Sequence, residues 1–240
     1  MIAFVLIGCG LFDAERKHQA LILVDTRNIL VPEPSGLTVD VDGGFLYCVS
    51  DPPANQVYKL DLQGNLIETL DFVGDDLEGI SFDPRDETLW VVDELQSDII
   101  HLSTGGSEIS RTKVNHSIPN PGEGLEGIVY NTARSDFFTI KQKNPATIIY
   151  IDSNLVTQDA KTISVAEDFT GICKGRHEDE YLLISSDEKL LWLWSWDDGL
   201  GEAYSFDVKQ AEGVVYHPND ELIYVVCDSE SLLYTFRFPE

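Results

Sequence analysis

Three glutamates stand immediately before the glycine of a recurring Gly-Φ-x-Φ segment at widely separated points of the chain: Glu78-Gly79, Glu126-Gly127 and Glu212-Gly213. Two further glycines of the same series follow Ser35 and Thr170. The glycines answer to crowding or to a positive φ at a turn. A glutamate that needed only water would have no reason to recur in the same register. Carboxylates held within about 6 Å of one another repel and raise each other's pKa unless a cation or a lysine intervenes. Their hard oxygens suit Ca²⁺, which takes about 6–8 ligands at about 2.3–2.6 Å, or Mg²⁺. Glu78, Glu126 and Glu212 are therefore the expected metal ligands, and Ca²⁺ is the expected ion.

A second set of polar residues is expected at the same mouth as ligand-binding groups. Glu33 and Ser35 precede Gly36, and Asp168 is the nearest acid in the repeat that carries Thr170. Asp51, Asp93, Glu94, Asp187 and Asp228 end apolar, β-branched runs. The corresponding run of the third repeat ends instead in Lys141-Gln142-Lys143. These two lysines either neutralise the carboxylates or grip an anionic group of a ligand.

The elements that must position these groups are legible as a repeat. A Gly-Φ-x-Φ segment recurs at Gly36, Gly79, Gly127, Gly171 and Gly213, at spacings of 43, 48, 44 and 42 residues. Each is followed by a turn and a second strand, such as LWVVDE or LIYVVCD, and then a third, such as QVYKLDL or LLWLWSW. A fourth strand follows in four of the five repeats. Four antiparallel strands every ~44 residues make a propeller blade. The fifth repeat stops after its third strand, and Leu21–Asp25 is available to complete it, which would close the ring and remove two sheet edges. The sequence therefore predicts an all-β, five-bladed propeller over residues 20–240. An open solenoid, a sandwich or a six-bladed ring fits the repeat count less well.

Composition narrows the partners. The 240 residues carry 16 Lys plus Arg against 42 Asp plus Glu, a formal charge of −26. Such a field repels nucleic acid and anionic lipid head groups and attracts cations. Much of it falls in turns such as DVDGG, DPRD and HPND, where a solvated shell is the simple reading. The start, MIAFVLIGCG, is too short to span a bilayer. Leu6-Ile7-Gly8-Cys9 has the form of a lipobox, although a basic n-region is missing. On that reading residues 1–8 are removed, Cys9 carries the lipid, residues 10–19 form a tether, and the protein is periplasmic or lipid-anchored in a bacterial cell envelope. The remaining cysteines, Cys48, Cys173 and Cys227, lie in apolar runs and are expected to be buried free thiols, with a Cys48–Cys227 bridge left open. Trp192, Trp194 and Trp196 alternate on one strand and share a face, for packing between blades or for stacking on a ligand. No GxSxG, P-loop, GxGxxG or HExxH motif is present.

Taken together, the segments EPSGL with LYCVSD, LEGISFDP, LEGIVYN, LWVVDE, IKQKNP and EGVVYHPNDELIYVVCD resemble the SdiA-regulated (YjiK/CarP-like) bacterial proteins over about residues 20–240. The resemblance implies a β-propeller that is exported or membrane-associated, linked to calcium-responsive regulation, with a phytase-like activity. Gln142 stands where that family usually has a glutamate. Two functions follow as expectations. One is an envelope-anchored, monomeric propeller that binds a cation, a small ligand or a protein at its mouth. The other is a Ca²⁺-dependent hydrolase, lactonase- or phytase-like, using a metal-bound water.

Overall fold

The computed structural model describes residues 18–114 and 124–240, so Cys9 and the lipobox lie outside the described residues. All its regular elements are strands. β1 (Gln19–Ala20) and β2 (Ile22–Asn28) come first. Blade one is β3 (Pro34–Val39), β4 (Phe45–Ser50), β5 (Gln56–Asp61) and β6 (Leu66–Val73). Blade two is β7 (Leu77–Asp83), β8 (Thr88–Asp93), β9 (Asp98–Ser103) and β10 (Glu108–Lys113). Blade three is β11 (Leu125–Asn131), β12 (Asp136–Lys141), β13 (Thr147–Ile151) and β14 (Thr157–Thr162). Blade four is β15 (Gly171–Lys174), β16 (Tyr181–Ser185), β17 (Leu190–Ser195) and β18 (Gly199–Ser205). Blade five is β19 (Ala211–His217), β20 (Leu222–Cys227) and β21 (Leu232–Arg237), completed by β2 from the other end of the chain.

The closing strand pairs antiparallel with β21, from Ile22 opposite Arg237 to Asn28 opposite Leu232. It therefore sits slightly later than the expected Leu21–Asp25. β1 adds a pairing not anticipated from sequence: it runs parallel to β18 on the outer edge of blade four. The Leu21 N–H then donates to the Ser205 carbonyl (2.8 Å) before the chain crosses to blade five.

The core consists of five separate apolar clusters, one between each pair of neighbouring blades. This explains why the first strands read as nearly continuous apolar runs. A strand covered on both faces has no solvent side to alternate towards. Trp194 is buried in the cluster between blades three and four, with Trp192 and Trp196 packed against it, so the three tryptophans serve blade packing. Cys48, Cys173 and Cys227 are buried free thiols. The acidic turns also cap themselves: Asp40 Oδ1 accepts from the Gly44 N–H (2.7 Å) and Asp83 Oδ1 from the Arg85 N–H (3.0 Å).

The five repeated glycines form a closed ring at the axis. A Cβ on Gly36 would lie 2.6 Å from the Glu78 carbonyl oxygen and 2.8 Å from the Gly79 Cα. Gly79 likewise abuts the Glu126 carbonyl and the Ile128 nitrogen, Gly127 abuts Gly171 and Ile172, Gly171 abuts the Glu212 carbonyl, and Gly213 abuts Ser35 and Leu37. None of the five has a positive φ, so crowding is what demands glycine here. With Leu37, Ile80, Ile128, Ile172 and Val214 they leave about 10 Å³ at the waist, no more than about one water.

Candidate functional site

The axis is thus divided. Residues just before each glycine lie at one end, and residues just after it lie at the other. The first group is set by a recurring irregularity. In blades one, two, three and five the inner strand carries one extra residue against its partner, between Pro34 and Leu37, Leu77 and Gly79, Leu125 and Ile128, and Ala211 and Val214. A bulge inserts an unpaired residue and re-aims a side chain. Here the residues at the bulge include Ser35, Glu78, Glu126 and Glu212. This device brings three carboxylates and one hydroxyl from four blades to one mouth.

The carboxyls there are partly to wholly buried and act on each other. Glu126 is 7% exposed. Burial, followed by the charges of Glu126 and Asp51, pushes Glu78 up to about 11, against the pull of the Ser35 hydroxyl. Burial and then Glu94 and Glu212 raise Glu126 well above the carboxylate range, with Lys143 opposing. Burial, then Asp51, Asp228 and Asp168, bring Glu212 to about 8, again with Lys143 opposing. Asp51 rises to about 7 through burial and the charges of Asp228, Asp76 and Glu33, against a hydrogen bond to Glu78 that lowers it. Burial and the charge of Glu94 take Asp76 to about 6. Asp51 Oδ1 and Asp228 Oδ1 are buried without a hydrogen-bond partner.

One oxygen from each of Asp76, Glu78 and Glu94 lies within 4.8 Å of the others. That span is about twice a Ca²⁺–oxygen distance of ~2.4 Å, so a single ion can touch all three. A hard divalent cation would also relieve the mutual repulsion among these carboxyls. The residues present fit such an ion.

The other residues singled out from sequence take distinct places. Ser35 is buried against Glu78, with Oγ 2.6 Å from Oε2. Glu33 is exposed and acts on Asp51 and Asp228 through its charge. Asp93 is fully buried, and its carboxylate accepts from the Asp75 N–H (2.9 Å) and the Gln96 N–H (3.2 Å), so its oxygens hold loops together. Asp187 is exposed, and its N–H donates to Asp168 Oδ1 (3.3 Å). Lys141 has no exposed surface, and its ammonium donates to the Lys143 carbonyl. Lys143 is the lysine whose charge reaches Glu126 and Glu212.

One member of the mouth, Asp76, was not among the expected groups, and of the expected neighbours Asp93 and Glu94 only the second reaches it. Glu94, rather than Asp93, occupies the place that Asp51 and Asp228 hold in their blades, because Asp93 pairs opposite Leu77 as Ser50 pairs opposite Pro34 and Cys227 opposite Ala211. Asp76 stands three residues before its glycine, as Glu33 and Asp168 stand before theirs. That second acidic column is the signal that identifies it.

The family model of the SdiA-regulated proteins matches residues 17–237. The chain belongs to the SdiA-regulated family. Solved propellers share the fold of this family member at low identity. A virginiamycin B lyase from Staphylococcus aureus is 14% identical with a TM-score of 0.51, over 86% of this chain and 66% of the lyase. The Cps50 β-propeller domain from Myceliophteria thermophila is 11% identical with a TM-score of 0.55, over 90% of this chain and 100% of that domain. At these identities the likeness concerns architecture alone.

Proposed function

We propose that this propeller is a binding protein that holds a divalent cation, Ca²⁺, in the acidic mouth of its axis and presents it to a small ligand or partner protein. The observation that carries the reading is the convergence of Asp76, Glu78 and Glu94, one oxygen each within 4.8 Å, inside a larger ring of raised carboxyls. Asp51 and Glu126 surround that core, and Glu212 and Asp228 extend it across the axis. Lys143 is placed to tune the ring or to meet an anionic group on whatever the cation holds.

Binding is favoured over hydrolysis of a polyphosphate by the cation supply. A phytase-like site must hold several phosphates, whereas Lys141 is fully buried and Lys143 faces carboxylates. Placement in a bacterial envelope, with Cys9 as the lipid carrier, rests on the Leu6–Cys9 segment. Among the described residues no helix is long and apolar enough to cross a membrane. A monomer is the expected state.

Isothermal titration with Ca²⁺ tests the reading. The wild type should bind with a saturable heat, and Glu78→Gln and Asp76→Asn should each weaken binding about tenfold or more. Folded wild-type protein that shows neither heat nor a melting shift in millimolar Ca²⁺ would overturn it.

A further inference from the structure

Beyond the glycine waist the axis opens into a second chamber, a cup of about 260 Å³ built by all five inner strands. Its floor is Leu37, Ile80, Ile128 and Ile172, and Phe82, Tyr130 and Tyr216 stand in its wall. It exceeds the ~150 Å³ at which an apolar cavity already takes a benzene-sized molecule. The closed waist makes it a chamber separate from the acidic mouth.

The free edges of the inner strands point into this end of the axis, and their N–H groups need acceptors. Three of them find one on the preceding blade, always from the second residue after the glycine. The Phe82 N–H donates to Thr38 Oγ1 (3.1 Å), the Tyr130 N–H to Ser81 Oγ (2.9 Å), and the Tyr216 N–H to the Cys173 sulfur. The same position is Val129 in blade three and Val215 in blade five, and neither can accept. The N–H groups left over belong to Lys174 and Val39.

The ladder register shows that these two face the axis. The Asp40 N–H donates to the Phe45 carbonyl (3.0 Å) and the Gly175 N–H to the Glu180 carbonyl (2.8 Å). The pairs next along, Val39 opposite Leu46 and Lys174 opposite Tyr181, are therefore the non-hydrogen-bonded kind, with N–H groups turned away from the partner strand. Among the described residues no side chain accepts from either. The cup thus combines apolar walls with two unmatched main-chain donors, which is the composition of a small-molecule site.

We infer that this cup binds a small apolar carboxylate, its hydrocarbon body against the floor and wall and its oxygens on the Val39 and Lys174 N–H groups. Lys174 lines the cup, but its ammonium donates to the Glu178 carbonyl, and Asp40 also lines the cup and opposes an anion, so the two N–H groups are what select a carboxylate. A cationic or donor-only amphiphile has the same body but leaves both N–H groups unmatched.

The test is a titration of ¹⁵N-labelled protein with octanoate, and in parallel with octylammonium. Octanoate should give saturable shifts at the Val39 and Lys174 amides, and octylammonium should not, although the −26 charge of the chain favours it. Val129→Thr with Val215→Thr supplies the two missing acceptors at nearly constant shape and should weaken octanoate about fivefold or more. Val39→Phe fills the cup, should abolish binding, and serves where the threonine pair fails to fold. Unmoved amides, equal binding of octylammonium, or undiminished binding in a folded variant would each overturn the proposal.

Discussion

The Ser35 hydroxyl lies 2.6 Å from Oε2 of Glu78 and 2.9 Å from its carbonyl oxygen. One short side chain of blade one thereby fastens blade two at the axis and steadies a carboxyl of the mouth. Ser35 is 3% exposed, so water does not readily take its place. Ser35→Ala should cost about 1–3 kcal/mol for the stranded polar partner, seen as roughly 2–4 °C in Tm per kcal/mol for a domain of this size. The bond also favours the ionised Glu78, so the variant should need a higher pH before Ca²⁺ binds. Calorimetric melts and Ca²⁺ titrations across pH check both; an unchanged Tm would make the hydroxyl dispensable.

The mouth carboxyls give the metal-free protein an inverted pH response. Asp51 and Glu212 sit near 7 and 8 in the fold, through burial and then neighbouring charge, against ordinary values near 4 when unfolded. A raised folded pKa contributes stability below the unfolded value and loses it as pH climbs through the folded one. Metal-free Tm should therefore fall by several degrees between about pH 5 and pH 8.5. With Ca²⁺ present the fall should flatten, because the ion stabilises the charged forms. A metal-free Tm that rises across this window would contradict the burial of charge described here.

The spacing of five glycines was enough to read the blade count, the ring closure and the convergence of Glu78, Glu126 and Glu212. Other parts required the bulge. Without it Asp93 and Glu94 are equivalent ends of one strand, yet only Glu94 joins the mouth, while Asp93 turns back onto the backbone. Asp76 stands in one column with Glu33 and Asp168, and only the fold brings it to Glu78 and Glu94. Lys141 looked like a ligand-facing cation, but its position in the ladder buries it completely. The apolar cup was not legible at all, since it depends on how far five separate strands leave the axis unfilled.

Crowding at the axis predicts a sharp contrast between glycines. Gly36→Ala sets a methyl against the Glu78 carbonyl and the Gly79 Cα, both backbone atoms that cannot swing aside. Overpacking of this kind costs about 1–3 kcal/mol or more. Gly44→Ala meets its nearest atom, Asp40 Oδ2, at 3.9 Å, and should stay within about 0.5 kcal/mol of wild type. Denaturant melts of the two variants make the comparison. Equal stabilities would remove crowding as the reason for the repeated glycine.

The seam where the ring closes is held on its far side by His217, which is 1% exposed. Its Nε2 lies 2.9 Å from the Gly43 carbonyl of blade one, and its Nδ1 is 3.3 Å from the Asp220 N–H of its own turn. With Nδ1 accepting from that N–H, Nε2 is the protonated nitrogen that donates to Gly43. His217→Ala strands both partners and should cost about 1–3 kcal/mol. Hydrogen exchange should then rise first in β2 and β21, the strands that close the ring. Exchange that rises evenly over all blades would argue that the seam is no weaker than the other boundaries.

Lys143 separates two roles for the mouth. Its charge opposes the upward shifts of Glu126 and Glu212, so it offsets repulsion within the ring. It also repels any cation that the carboxylates attract. Lys143→Gln should therefore lower the metal-free Tm at pH 8, where the unrelieved carboxyls repel most, and yet tighten Ca²⁺ binding several-fold. If Lys143 instead exists to hold an anionic group beside the ion, Ca²⁺ affinity still rises, but a carboxylate or phosphate co-ligand that enhances Ca²⁺ binding in the wild type loses its effect in the variant. Paired titrations with and without such an anion distinguish the two. A loss of Ca²⁺ affinity in folded Lys143→Gln would contradict both, and would mean that the lysine organises the ring rather than competing with its ion.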